Sequence, residues 1–304
     1  MSGRQRIVPV PLLMLAAALF FVPMLGLPAF YESFLYLIFF WVSLATSWTI
    51  LSGYAGYWSF GHAAFFGAGM YTTATLTTKF GVPFLWTLPV SMAVATLLGV
   101  GIGAVVFRLQ RMRGELFALL TLAITFVIAT IVHNTPIDGG SGVYLISVPV
   151  PNVMGSPSAS IYFFGLVLAT LTLWAAYVIA HSRLGLGLFA IHDDEDVAEV
   201  KGVPTFRYKL AAFALSSGIA GAVGGVHAIY VGYVTVAETF EITVPLYSVV
   251  MSILGGSRHW FGAAVGATII TAALYTFASG PQAVIGRAAV ALGLVVMILL
   301  LPEG

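Results

Sequence analysis

The chain has 304 residues, 60% of them hydrophobic and 8% charged, with a mean hydropathy of +1.03 and a formal net charge of +1. Those values lie far outside the soluble range and predict an all-α polytopic membrane protein, a single transmembrane domain over 1–304 with no stretch left for a second folded unit. The small net charge argues against a nucleic-acid partner, and zero cysteines exclude disulfides, covalent haem and thiolate metal sites.

In chain order, Arg4 and Arg6 precede an apolar run reaching Leu27. It is long enough to span and lacks a small-x-small cleavage pattern, so it reads as a retained first helix. Apolar windows of about 17–25 residues mark the spanning segments. They fall near Pro9–Leu27, Phe30–Leu51, Phe60–Thr78, Phe84–Phe107, Leu116–His133, Ile161–Ala180, Leu210–Gly232, Leu246–Gly255, Phe261–Ala278 and Ala288–Leu301. The expectation is thus about ten transmembrane or half-membrane helices. The third window is rich in glycine and the eighth is short, so either is a candidate broken or re-entrant element.

With the N- and C-termini cytoplasmic, the inner loops hold Arg4, Arg6, Arg108, Arg111, Arg113, Arg183, Lys201, Arg207, Lys209 and Arg258, and the outer loops only Lys79 and Arg287. That asymmetry satisfies the positive-inside rule. The connection 133–160 falls outside; its prolines and glycines, interrupted by apolar residues, predict an ordered external cap or partner surface.

The segment 181–209 falls on the cytoplasmic side and carries Asp193, Asp194, Glu195, Asp196 and Glu199. Its interior predicts a short helix with Asp193 as N-cap and Asp196 in the capping-box position, ended by Gly202 and Pro204. Val197, Ala198 and Val200 add an apolar face too small to fold alone, so a docking helix is one reading. A solvated connecting loop is the other.

No GxxxxGK[ST] frame, HExxH pair or nucleophile elbow occurs. The chain is therefore not expected to be an enzyme, nor to bind a metal or cofactor directly. Glu32, Glu115, Asp138, Glu238 and Glu241 fall at predicted helix ends or loops, which leaves the membrane interior nearly free of carboxylates and disfavours a proton-driven carrier. His62 and His227 are read as neutral packing residues. The glycine-rich windows have two readings: close helix packing, or backbone opened to a solute at mid-membrane, with Gly53, Tyr54, Gly56, Gly61, His62, Gly224 and Gly225 on that path.

Three stretches carry a family resemblance. Leu51–Tyr71, LSGYAGYWSFGHAAFFGAGMY, resembles the G-Y-A-G-x-x-S-x-G-H-A-A-F-F-G-x-G-A-Y signature of LivM-like permease subunits, from bacterial ABC importers of branched-chain amino acids. Arg113–Ala123, RGELFALLTLA, is similar to that family's second motif, and Ser182–Phe213 to its third. The sequence departs from the family pattern at Met70, Leu116, His192 (for Arg), Val197 (for Ala), Arg258 (for Gly) and Ala263 (for Pro), and in the outer-loop stretch Asp138–Val143.

The resemblance implies an inner-membrane, multi-pass subunit whose coupling helix, Ala190–Gly202, seats in a separate ATPase. Ala190, His192, Asp193, Asp194, Glu195, Glu199 and Gly202 would transmit the stroke. It also implies two ABC ATPase subunits that use the ATP, a second related permease in a heterodimer, a periplasmic solute-binding protein and surrounding membrane lipid. The departures keep two cargoes open: branched-chain or other hydrophobic amino acids, and urea or short amides. A self-sufficient channel or ion-coupled carrier is the remaining class.

Overall fold

The computed structural model describes residues 9–278, apart from 27, 109–113 and 147. The chain begins with α1 (Val10–Phe20), a 3-10 turn and α2 (Ala29–Trp48), which a π turn at Thr49–Gly53 prolongs. Then come α3 (His62–Lys79), α4 (Phe84–Val106), α5 (Glu115–His133) and α6 (Pro157–Ala180). Two short helices, α7 (Arg183–Asp193) and α8 (Glu195–Val200), lead into α9 (Thr205–Val231). One-turn α10 (Val236–Thr239), α11 (Thr243–Gly255) and α12 (Gly262–Ala278) complete the described chain.

Among the described residues, six helical segments are long and apolar enough to cross a membrane by length and composition, and shorter apolar helices accompany them. One of the six, Val236–Gly255, reaches that length only when α10 and α11 are counted together across the break between them. The windows from Pro9–Leu27 to Phe261–Ala278 each contain a helix. The tenth, Ala288–Leu301, lies outside the described residues, as do Arg4, Arg6, Arg111, Arg113 and Arg287. The third window is an unbroken helix. The eighth is a 13-residue helix, about 20 Å long and too short to cross alone.

The bundle is built around α9, which packs on α3 and α4 and also touches α2 and α6. Small residues make this possible. A methyl group added at Gly69 of α3 would collide with the Gly221 backbone of α9, and one at Gly224 with the Phe66 carbonyl. Main chain therefore meets main chain, with no side chain able to yield. By contrast α4 and α5 keep broad apolar faces exposed, including Leu97 and Phe126.

This difference yields a test. Gly69→Leu is expected to cost more than the about 1–3 kcal/mol usual for an overpacked core, since only helix separation relieves the clash. Gly101→Leu, where nothing lies within 4 Å, is expected to be near neutral. Size-exclusion profiles of the detergent-solubilised proteins after heating distinguish the two; equal profiles would refute the packing account.

The described residues of the 133–160 connection form turns and a short strand. Gly139, Gly140 and Gly142 take positive φ, and β1 (Val143–Tyr144) pairs antiparallel with β2 (Tyr233–Val234). Asp138 is buried there and accepts a 2.6 Å hydrogen bond from Tyr71. Glu32, though in the first turn of α2, is likewise buried and accepts from Ser158. Both carboxylates sit at a helix end or in a loop, as expected, and both are buried there.

Candidate functional site

The polar segment folds as an elbow of two helices. Ser182 caps α7 by accepting from the Gly185 N–H at 3.3 Å, and Leu188 and Ile191 carry that helix into the core as far as Asp193. The N-cap of α8 is consequently Asp194, not Asp193: its carboxylate accepts from the Val197 N–H at 3.0 Å. Asp196 then lies at the second helical position and makes no capping box. Apolar burial in α7 outweighs the capping preference of Asp193 and shifts the break by one residue. Gly202, at φ 85°, ends α8 as expected.

The inner face of α8 is clamped by a buried charge pair. The Lys209 ammonium lies 2.5 Å from Glu195 Oε1 and donates to the Tyr57 hydroxyl at 3.1 Å, while that hydroxyl donates to Glu195 Oε2. The ammonium also sits 4.8 Å from the Tyr57 ring centroid and 5.3 Å from that of Phe107, a cation–π arrangement in a desolvated setting. Phe117 and Phe213 back this cage. Lys209 is therefore an internal residue of the fold, although its charge reads from sequence as a loop charge.

All three sequence motifs converge here. The first supplies Tyr57, the second Phe117 and Thr121, whose hydroxyl accepts from the Phe60 N–H at 3.0 Å, and the third Glu195 and Lys209. Beside the clamp, the His192 ring lies against Gly56, which has φ 74° and no room for a side chain. Burial lowers the His192 pKa and the Arg258 guanidinium lowers it further, against opposing pulls from Asp193 and a Gly53 backbone hydrogen bond. The ring is thus neutral at pH 7. Arg258, from the loop between α11 and α12, pairs with Asp193 at the exposed rim. His192 and Arg258, both departures from the family pattern, are neighbours in space.

Outward, the elbow shows a different chemistry. Val197 is 47% and Val200 90% exposed, on one face of α8, with Asp194, Asp196 and Glu199 also exposed around them. A polar hollow of about 300 Å³ lies between residues 191–196 and Ala55, Gly56, Tyr57 and Gly114. Ala190 is half-buried on the core side of α7. The seven residues expected to couple are thus contiguous, but Glu195 faces inward and Gly202 serves the turn.

The residues expected on a solute path have these surroundings. Tyr54 is fully buried, with its hydroxyl donating to the Ala176 carbonyl at 3.4 Å. His62 is buried with Nε2 3.2 Å from the Ser216 hydroxyl, which donates to the Ser47 carbonyl at 2.6 Å. Gly53 abuts the Ser257 carbonyl, Gly61 the Thr121 side chain, and Gly224 and Gly225 the α3 helix. Gly56 borders the polar hollow beside α8. Tyr57 and Arg258 are site residues that spacing alone does not single out, because their partners lie far along the chain.

No group of three or more His, Cys, Asp or Glu residues able to hold a metal occurs among the described residues. The family model for the branched-chain amino acid transport system permease component matches residues 30–301. The chain is 25% identical over 257 residues to the high-affinity branched-chain amino acid transport system permease protein LivM of Escherichia coli (strain K12). It is equally similar to the protein of that name from Salmonella typhimurium. These alignments cover 76% of this chain and 59% of each relative, so the chain spans less than two thirds of their length. No solved structure matches.

Proposed function

The chain belongs to the branched-chain amino acid transport permease family, and we propose that it is the membrane subunit of an ATP-driven importer of branched-chain or other hydrophobic amino acids. One observation carries the mechanistic part. The α8 helix is capped at Asp194 and clamped from behind by Glu195, Lys209 and Tyr57, yet presents Val197 and Val200 to the outside. Exposed valines on a rigid helix, rimmed by acids, are what a docking surface requires and what a solvated connecting loop does not.

In this reading α7 and α8 lie at the cytoplasmic face of the inner membrane, with both termini on that side. Two ABC ATPase subunits receive α8 and its counterpart on a second, related permease. A periplasmic solute-binding protein delivers cargo to the opposite face, where the 133–160 connection lies. ATP is hydrolysed in the partner subunits, and this chain carries out no covalent chemistry. A stroke applied at α8 reaches the fold by two routes: through Lys209 into α9, and through Asp193 and Arg258 into the loop joining α11 and α12.

The altered stretches that keep urea and short amides open as cargo have packing roles. Asp138 holds Tyr71, Arg258 holds Asp193, and Gly255, Gly262 and Gly266 let α11 and α12 touch. Neither stretch therefore favours an amide solute over an amino acid.

Reconstitution tests the class. Proteoliposomes holding this chain, the ATPases, the partner permease and the binding protein are expected to accumulate radiolabelled leucine only with ATP inside the ATPase-facing compartment. Flux through the purified chain alone would overturn the reading and indicate a channel or carrier.

A further inference from the structure

We propose that the elbow between α10 and α11 lines the water-filled solute passage at mid-membrane, with Glu238 and Glu241 giving its wall a negative charge. The proposal rests on the importer reading only in calling the passage that of the solute. The geometry itself is independent of cargo.

The depth of the elbow follows from side-chain contacts. The Ser216 hydroxyl joins the Ser47 carbonyl to His62, so His62 is level with Ser47, about 9 Å along α2 from Gly53 at about 1.5 Å per residue. Gly67 lies five residues further along α3, and its face is filled by the Phe240 ring, which puts Phe240 about 17 Å from that end. On the other side Trp41 and Tyr247 have ring centroids 5.5 Å apart. Trp41 lies about 18 Å from the Gly53 end, and Thr243 is one helical turn further on, at about 24 Å. The 25 residues Ala29–Gly53 extend about 37 Å in all, so the elbow occupies the middle third.

Two features at that depth are incompatible with lipid. After Val231 the chain pairs Tyr233–Val234 with the 133–160 connection, returns inward through the single turn of α10, and breaks again over 240–242, at the level of Phe240, before α11 begins. Irregular backbone at membrane depth is tolerated only where protein buries it or water reaches it. Here protein does not bury it on every side: Glu238 and Glu241 are exposed, as are Ile242 at 41% and Leu246 at 42%. Exposed carboxylates in the middle of a bilayer face a cavity or a polar pathway, because hydrocarbon cannot solvate them. The half-buried His227 of α9 borders that level, at about 25 Å by the same count, and is stacked 4.1 Å from Phe40. These carboxylates read from sequence as loop acids; the fold returns their loop to half-depth. A wall of this sign concentrates cationic groups, such as the ammonium of a zwitterionic solute, over anions.

The chain contains no cysteine, so single thiols report cleanly. In the assembled complex in membranes, Glu241→Cys is treated with a cationic trimethylammonium-ethyl methanethiosulfonate. Val90→Cys is the lipid-facing control: Val90 is 42% exposed and adjoins Ser91, whose hydroxyl donates to the Gly69 carbonyl, two residues from Gly67. The thiol at 241 is expected to react about tenfold faster or more, because the reagent needs water and a thiolate. Glu238→Cys is the second reporter should the first variant fail to assemble.

With Leu246→Cys as a neutral reporter, the cationic reagent is expected to outpace the anionic sulfonatoethyl reagent, relative to a free thiol, by about tenfold. Glu238→Gln with Glu241→Gln should remove that preference. Thiols at 241 and 238 as inert as the one at 90 would overturn the proposal, as would a charge preference that survives the double substitution. Labelling needs neither solute nor ATP, so an inert elbow leaves the importer reading standing. Failed ATP-driven uptake would likewise leave a reactive elbow standing.

Discussion

Lys209→Met is expected to destabilise the folded chain by about 3–5 kcal/mol, the range seen when one partner of a buried ion pair is removed. Glu195 is buried, and the substitution takes away the counter-charge that lies 2.5 Å from its carboxylate. Methionine fits the aromatic cage of Tyr57 and Phe107, so lost packing volume does not explain the effect. The second substitution decides the matter. Lys209→Met with Glu195→Gln removes both charges, keeps an acceptor for the Tyr57 hydroxyl, and is expected to recover most of the loss. Thermal unfolding followed by size exclusion in detergent measures both. A single variant as stable as the parent, or a double variant no better than the single, would show that the charges do not meet in the folded protein.

Val197→Asp combined with Val200→Asp should abolish ATP-driven uptake while leaving insertion and folding intact. Val200 is almost fully exposed and Val197 about half exposed, so the substitution disturbs little internal packing. At a docking surface it would replace an apolar contact with two charges in an already acidic helix. Central interface residues contribute about 2–4 kcal/mol, equivalent to about thirtyfold to a thousandfold in affinity. Co-purification of the ATPase subunits with the tagged permease reports the binding loss directly. Glu199→Gln, at the rim, is expected to cost little, since rim charges mainly affect association rate. Unimpaired uptake by the double aspartate variant would remove α8 as the docking element. Glu195 is unsuitable for this test: its carboxylate faces Lys209, and charge reversal there would break the fold before it broke the interface.

The contrast between Glu195 and Glu199 shows what sequence legibility depends on. Both are acids on a helix that hydropathy places outside the membrane, and helical spacing puts them four residues apart, on overlapping faces. Only the position of Lys209 and Tyr57 makes one internal and leaves the other exposed. The same holds for Asp138 and Glu241, which read alike as loop acids. One is buried against Tyr71 and the other is exposed.

What the sequence determined by itself is everything governed by interactions over a few residues. Apolar run length marked the helices, cap and turn chemistry placed the end of α8 at Gly202 and its start within one residue, and the motifs indicated the family. Tertiary structure alone decided which of those local features meet. Tyr57 reaches Glu195 across 138 positions, and Ser216 reaches His62 across 154. The physical reason is that hydropathy and propensity are sums over neighbours in the chain. A buried charge pair, or a glycine that admits another helix's backbone, depends on neighbours in space, which are set only when α9 is enclosed by α2, α3 and α4.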